Sequence, residues 1–272
     1  MTPEALSSVI EALLAAEART ASLAPITSWA PGFTVADAYR ALAALEQRRR
    51  ERGWRPVGRK IGFTNRTLWP RYGVFAPMWA HVWDATFTDA PAGSASVSLA
   101  GTVEPRLEPE VVFGLAGPVA ATDDPVAVLG AVAWMAPGFE VVQSHYPRWS
   151  FTAADCTAAW GLHGHLVVGP RVPIAASDRA AVAARLATFE ATLRRGDEVI
   201  DRGAGANVLG SPALALAHLA RVLAAQTDAP PLAAGEIVTT GTLTDAWPVA
   251  AGQTWSSDYG ALGIPGLRVT LG

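Results

Sequence analysis

Two carboxylates set two residues apart in an otherwise apolar, strand-like run leave a chain few ways to fold. Arg106-Leu107-Glu108-Pro109-Glu110-Val111-Val112-Phe113 is such a run. Alternate residues of a strand share a face, so Glu108, Glu110 and Val112 line one surface while Leu107, Val111 and Phe113 turn toward packing. Neighbouring like charges repel, and partial burial sharpens the repulsion. Either that face is wet, or a hard cation such as Mg²⁺, Mn²⁺ or Ca²⁺ relieves it. The two residues alone leave both readings open.

Two further segments bear on the choice. Val57 to Phe63 reads as a strand with Gly58, Lys60 and Gly62 on one face. A lysine flanked by glycines has open space beside it for a ligand or another backbone; the plainer reading is a solvated edge charge. Phe139-Glu140-Val141-Val142 sets a third carboxylate among apolar residues, where it is costly if buried unpaired.

Around these segments the chain reads as helices mixed with short strands. Thr2-Pro3-Glu4 opens a helix with an apolar stripe of Leu6, Ile10, Leu13 and Leu14. Residues 21–33 read as loop. Thr34 and Asp37 form a capping box for a helix to about Arg52, whose Arg48-Arg49-Arg50 end reads as a solvated face. Residues 64–84 hold Trp69, Tyr72, Phe75, Trp79 and Trp83, suited to a lid or an oligomer contact. Next come a strand pair around 95–115, a helix from Asp124-Pro125 to about Met135 broken by Pro137-Gly138, a short helix capped by Thr152, and a strand at His163–Gly169. Residues 182–203 fit a helix stripe or a hairpin about Gly196-Asp197, and the hairpin is preferred. Ser211-Pro212 opens a helix to about Ala225, and the glycine-rich tail, 236–272, reads as antiparallel β structure. Nothing marks a linker, so 1–55 is taken as a helical N-terminal region and 56–272 as a catalytic unit continuous with it.

Composition narrows the function classes. With 272 residues, 50% of them hydrophobic, and a net charge of -3, the chain can bury a large core and offers no electrostatic case for nucleic acid or an anionic membrane. The single cysteine, Cys156, excludes an internal disulfide and a Cys-based zinc site. No signal-peptide pattern and no bilayer-spanning stretch is read, and a soluble cytoplasmic protein is expected.

Taken in order, Gly58-Arg59-Lys60-Ile61-Gly62-Phe63-Thr64, Pro105-Arg106-Leu107-Glu108-Pro109-Glu110, Gly138-Phe139-Glu140-Val141-Val142, the run around Asp155, Gly205 to Pro212 and Gly235 to Leu243 carry a resemblance. The chain resembles the fumarylacetoacetate hydrolase superfamily, and more narrowly the branch of 2-keto-4-pentenoate hydratases and 4-oxalocrotonate decarboxylases. The resemblance implies an α+β fold, a mixed rolled β-sandwich with flanking helices. It implies Glu108, Glu110 and Glu140 as ligands of Mg²⁺ or Mn²⁺, with Ca²⁺ as a substitute. A small 2-oxo acid is the implied substrate and a homo-oligomer the implied assembly. Lys60 is the implied proton carrier, its ammonium pKa expected to fall beside the cation. Substrate contacts are implied at Ile61, Gly62, Gln143, Asp155 and Thr242. The reaction expected first is metal-dependent hydration of a 2-oxo-alkenoate. Decarboxylation of a 2-oxo-3-enedioate, C–C hydrolysis of an acylpyruvate and a non-catalytic partner subunit are the alternatives.

The chain departs from the family pattern in places. Gln143-Ser144-His145 stands where many members carry Asp-Ser-Arg, Asp155-Cys156 replaces an Asp-Asn pair, and Asn65 replaces a serine. His145 either takes over proton transfer or is structural. Cys156 reads as a packing residue. Asp84 falls at an acidic position near the active-site mouth, a loop cap being the plainer reading, and Thr242 is either a hydroxyl near the substrate or an ordinary strand threonine.

Overall fold

The computed structural model describes residues 1–226 and 229–272. Local chemistry sets the first helices. Thr2 Oγ1 accepts the Ala5 N–H and starts α1 (Pro3–Arg19). After a four-residue α2 (Ile26–Trp29), the reciprocal Thr34/Asp37 capping box starts α3 (Val35–Glu51). The chain continues through β1 (Pro56–Gly62), α4 (Trp69–Tyr72), β2 (Met78–Trp83), β3 (Phe87–Asp89), β4 (Ser94–Val97) and β5 (Arg106–Leu115). Then come α5 (Pro125–Leu129), β6 (Val132–Val142), α6 (Ala153–Ala158), β7 (His163–Val168), β8 (Val172–Pro173) and α7 (Arg179–Thr188). A hairpin, β9 (Glu190–Arg195) and β10 (Glu198–Ala204), precedes α8 (Pro212–Ala224), and β11 (Ile237–Thr239), β12 (Trp247–Pro248), β13 (Thr254–Asp258) and β14 (Leu267–Leu271) complete the chain.

The strands form two mixed sheets. The larger has the order β2-β1-β11-β5-β6-β7-β3, with β12 also paired to β5 and β8 to β6; the smaller has the order β10-β9-β13-β14-β4. Strand β11 is parallel to β1 and antiparallel to β5, so it joins two strands that do not pair with each other. The larger sheet curls, giving an α+β fold with flanking helices. On its convex face Leu107, Phe139, Val141 and Val167 pack against Leu193, Trp255, Leu267 and Val269 of the smaller sheet. Burying each such aliphatic side chain contributes about 1.5–3 kcal/mol. The concave face carries Val82, Val112, Ala136, Leu166 and Ile237 beside the glutamates. The N-terminal helices share a core with the sheet unit: Val9, Leu13, Leu42 and Leu45 belong to one cluster with Met78, Ala80, Val142 and Trp160.

Several expectations are corrected. The helix from Asp124 stops at Leu129, and β6 runs straight through Pro137-Gly138. Pro137 is tolerated because its carbonyl, and hence its donorless nitrogen, faces the edge where β7 has already ended; Gly169 N–H meets that carbonyl at 2.8 Å. Strands β4 and β5 are not a pair but lie in different sheets. Residues 182–203 hold both the end of α7 and the hairpin, and the tail also makes parallel pairs, β11 with β1 and β14 with β4. The 21–33 loop contains α2. Arg49 is buried against Glu17 (2.7 Å) and stacked on Trp54 and Trp160, so that basic end is not a wholly solvated face. No helix among the described residues is long and apolar enough to cross a membrane.

Candidate metal and substrate site

The register of β5 against β6 sets Glu108 directly across from Glu140, and Glu110 across from Gly138. The opposite edge of β5 pairs with β12 at 106–107 and with β11 at 112–114, leaving a gap between. The 240–246 segment fills it. Thr240 Oγ1 donates to Val111 O (2.8 Å), Leu243 N to Pro109 O (3.0 Å) and Gly241 N to Glu110 Oε2 (2.7 Å). A strand residue's N and C=O share an edge, so Pro109 turns its donorless nitrogen to this gap and breaks no rung with β6. Gly241 adopts φ 96°, and a Cβ there would run into Thr64 Oγ1, so the donor to Glu110 requires glycine. Gly58 is needed for a different reason: a Cβ would strike the Ile237 backbone, where β11 docks on β1.

One oxygen from each of Glu108, Glu110 and Glu140 lies within 4.8 Å of the others. Glu110 and Glu140 are fully buried, and Glu110 Oε1 and Glu140 Oε2 have no hydrogen-bond donor. Lys60 Nζ stands 3.2 Å from Glu140 Oε2, an ion pair, and donates to Gly161 O at 2.9 Å. A bulge at Gly164 shifts the β6–β7 register, so Val142 faces His163. His163 thereby reaches the concave face, its Nδ1 2.7 Å from Glu140 Oε1 and its Nε2 2.9 Å from Thr86 Oγ1. The carboxylate only accepts, so Nδ1 carries the proton.

Burial pushes the Glu108 carboxyl up to about 7, against the pull of Lys60. Glu110 is raised well above the usual carboxylate range by burial and by Glu140 and Glu108. Burial acts upward on Glu140 too, but Lys60 and His163 outweigh it and hold that carboxyl at about 2. Without the cation, burial disfavours the charge of Lys60, yet Glu140, Glu108 and Glu110 together raise its pKa. The expected fall needs the cation that would neutralise those carboxylates. Three converging hard oxygen donors, a buried Glu110 oxygen without a partner and two carboxyls pushed upward fit a divalent cation of the Mg²⁺, Mn²⁺ or Ca²⁺ kind.

Beside the triad lies a narrow cleft that opens to solvent. Lys60, Glu108, Gly241 and Thr242 supply its polar wall, and Leu68, Met78, Val142 and Ala246 are among its apolar lining. Phe63, Trp149 and Leu162 also line it with left-handed backbones, φ 56°, 55° and 63°. Bulky residues held so cost about 1–3 kcal/mol each and cluster at functional sites. The aromatic segment 64–84 gives Tyr72 to the cavity, buries Trp79 and Trp83 in β2, and leaves Phe75 65% exposed.

The candidate residues divide sharply. Lys60, Gly62, Glu108 and Thr242 line the cavity, with Glu110 and Glu140 behind them. Ile61 turns its side chain into the core. Gln143 points away, its Oε1 accepting the Val103 N–H at 3.1 Å. His145 is buried against Ala21 O (3.1 Å) and Trp160. Asp155 caps α6 and holds the N–H and hydroxyl of Thr27, both at 2.9 Å. Asp84 is exposed and accepts the Arg55 and Ala85 N–H groups, as a loop cap does. Cys156 is buried, and burial pushes its thiol up, so it packs without reacting. Sequence reasoning missed His163, Gly161 and Gly241. The Gly241 signal was present in the Thr240-Gly241-Thr242 run, whereas His163 depends on a bulge that no local pattern announces.

Known proteins resemble this chain in sequence and in fold. Residues 76–270 match the family described as fumarylacetoacetate (FAA) hydrolase C-terminal. The chain is 32% identical to 2-hydroxyhexa-2,4-dienoate hydratase of Comamonas testosteroni over 92% of its own length and 91% of that protein's. It is 28% identical to 4-oxalocrotonate decarboxylase of Pseudomonas sp. (strain CF600), covering 96% of each. Its fold superposes on 4-oxalocrotonate decarboxylase from Pseudomonas putida G7, solved with magnesium and adipate, with a TM-score of 0.88 at 25% identity, covering 100% of this chain and 98% of that one. The chain belongs to the fumarylacetoacetate hydrolase superfamily, in the branch of 2-keto-4-pentenoate hydratases and 4-oxalocrotonate decarboxylases.

Proposed function

We propose that this chain is a divalent-metal-dependent lyase acting on a small 2-oxo-alkenoate, and that its reaction is decarboxylation of a 2-oxo-3-enedioate. The observation that carries the reading is the buried triad of Glu108, Glu110 and Glu140 with Lys60 at its side, opening on a largely apolar cavity. The whole-length superposition on a decarboxylase supports decarboxylation over the hydration expected first. Hydration is the second reading, favoured by the identity to a hydratase.

When bound, the cation supplies positive charge at the oxo end of the acid, where negative charge gathers in either reaction. Glu108, Glu110 and Glu140 would hold it. Lys60 Nζ keeps a proton between Glu140 and Gly161 and still faces the cavity with its remaining donor capacity, placed to protonate the atom that gains charge. Leu68, Met78, Val142 and Ala246 limit water at that point. Purified protein with Mg²⁺ should release carbon dioxide from 2-oxohex-3-enedioate. If instead 2-hydroxypenta-2,4-dienoate loses its ultraviolet absorbance without carbon dioxide release, giving a 4-hydroxy-2-oxo acid, while the enedioate is untouched, the hydratase reading replaces it.

A further inference from the structure

Arg106 precedes Glu108 by two residues on β5, on the same concave face, and stands directly across from the cavity residue Val142. Its Nη1 donates to Tyr72 Oη at 2.6 Å, and its guanidinium lies over the Trp149 ring, 4.2 Å from the centroid. Both aromatic residues line the cavity. Tyr72 is itself stacked on Phe151, ring centroids 5.8 Å apart and planes 5° from parallel, so the seat is firm. None of the ion pairs among the described residues includes Arg106. Of the acids near it, Glu104 accepts the Arg148 N–H, Asp245 pairs with Arg71, and Glu108 feels its charge without forming an ion pair.

A partly buried guanidinium seated on aromatic rings, with one neutral hydroxyl as its partner, keeps most of a planar donor fork that matches a carboxylate. Two residues of strand rise separate it from Glu108 at the backbone, about 7 Å, and it sits behind the Tyr72 and Trp149 rings that line the cavity. We propose that Arg106, seated by Tyr72 and Trp149, binds the distal carboxylate of the substrate and so selects dicarboxylic over monocarboxylic 2-oxo acids. This rests on the reading above, in which the triad takes the 2-oxo end of an enedioate, and adds which residue holds the other end.

In decarboxylation the distal carboxylate is the group that departs. Its bond to carbon breaks, the electron pair moves through the conjugated chain to the oxo oxygen, and neutral carbon dioxide leaves. A guanidinium grips the carboxylate more tightly than the departing gas, so its contribution lies in capture and orientation. Removing it raises KM for the enedioate without a matching fall in kcat.

The test compares two probes on the Mg²⁺-loaded protein by calorimetry: 2-oxoadipate, and 2-oxohexanoate, which lacks the distal carboxylate. The unaltered protein is expected to bind 2-oxoadipate about 10- to 100-fold more tightly, as a charge-assisted hydrogen-bonded pair provides. Arg106→Met brings that ratio near one, and Tyr72→Phe lowers it severalfold. Oxalate, which reaches only the triad end, binds all three proteins alike and shows that the variants are folded. A wild-type ratio near one, or a ratio unchanged in both variants, overturns the proposal. Failure of oxalate to bind the unaltered protein with Mg²⁺ overturns instead the metal and 2-oxo-acid reading beneath it.

Discussion

Glu108, Glu110 and Glu140 carry three negative charges when ionised, against the Lys60 ammonium paired with Glu140 and the Arg106 guanidinium acting on Glu108 without an ion pair, which leaves a net negative charge in the site. A divalent cation cancels that excess, and each residue then has a separable part. Glu108→Ala removes a proposed ligand whose side chain makes no hydrogen bond to the rest of the protein, so the protein is expected to stay folded while calorimetry shows Mg²⁺ affinity lost and turnover gone; unchanged affinity would remove Glu108 from the ligand set. Lys60→Ala removes the competing ammonium from Glu140, so metal is retained while kcat falls about 10²–10⁴-fold, the usual share of one acid–base group. The glutamates were legible because a carboxylate inside an apolar run must have a partner. Gln143 was misplaced by following a motif where strand alternation was the better guide. Glu140 and Val142 face inward, so Gln143 faces out, where it holds Val103.

At the scale of elements, capping chemistry transferred directly from sequence: Thr2, Thr34, Thr152 and Ser211 each accept the N–H expected of them. What did not transfer was which strand pairs with which, because β4 and β11 find their partners far along the chain. Pro137-Gly138 looked like a break because the identity of its edge neighbour cannot be read locally. The helical region is joined by another unforeseen contact, the Arg49–Glu17 pair between α3 and α1. Arg49 is 5% exposed, with Nε and Nη1 lacking hydrogen-bond partners, and Glu17 is its main neutralising group. Glu17→Ala strands that buried charge and is expected to cost about 2 kcal/mol, a buried-pair loss reduced because Glu17 is partly in water. A lowered urea midpoint with an unchanged slope checks this, and an unchanged midpoint refutes it.

Across the whole molecule, the site makes stability depend on pH and on metal together. Glu108 and Glu110 have folded pKa values above their unfolded ones, so the stability they contribute is present below about pH 4.5 and is lost as pH rises, through about 7 for Glu108. Glu140 runs the other way, its contribution held at neutral pH and lost only toward about 2. Two groups therefore weaken the ion-free fold on the alkaline side, where a bound cation has most repulsion to relieve. With chelator present, Tm is expected to fall from about pH 5 to about pH 8, and the rise in Tm on adding Mg²⁺ to grow over the same range. A Mg²⁺ effect of equal size at both ends would show that the carboxylates do not titrate as described.

The place of β11 bears on how the chain is made. Lys60 lies on β1 and the glutamates on β5 and β6, all translated well before Ile237. Yet β1 and β5 have no direct pairing; the three residues of β11 join them, and Gly241, just beyond, secures Glu110. A nascent chain leaving the ribosome thus carries two unjoined parts of a sheet, with the lysine on one and the acids on the other, until its closing segments emerge. The three glutamates face one another as soon as β5 and β6 pair, but Lys60 joins them, and Gly241 fixes Glu110, only in the finished molecule.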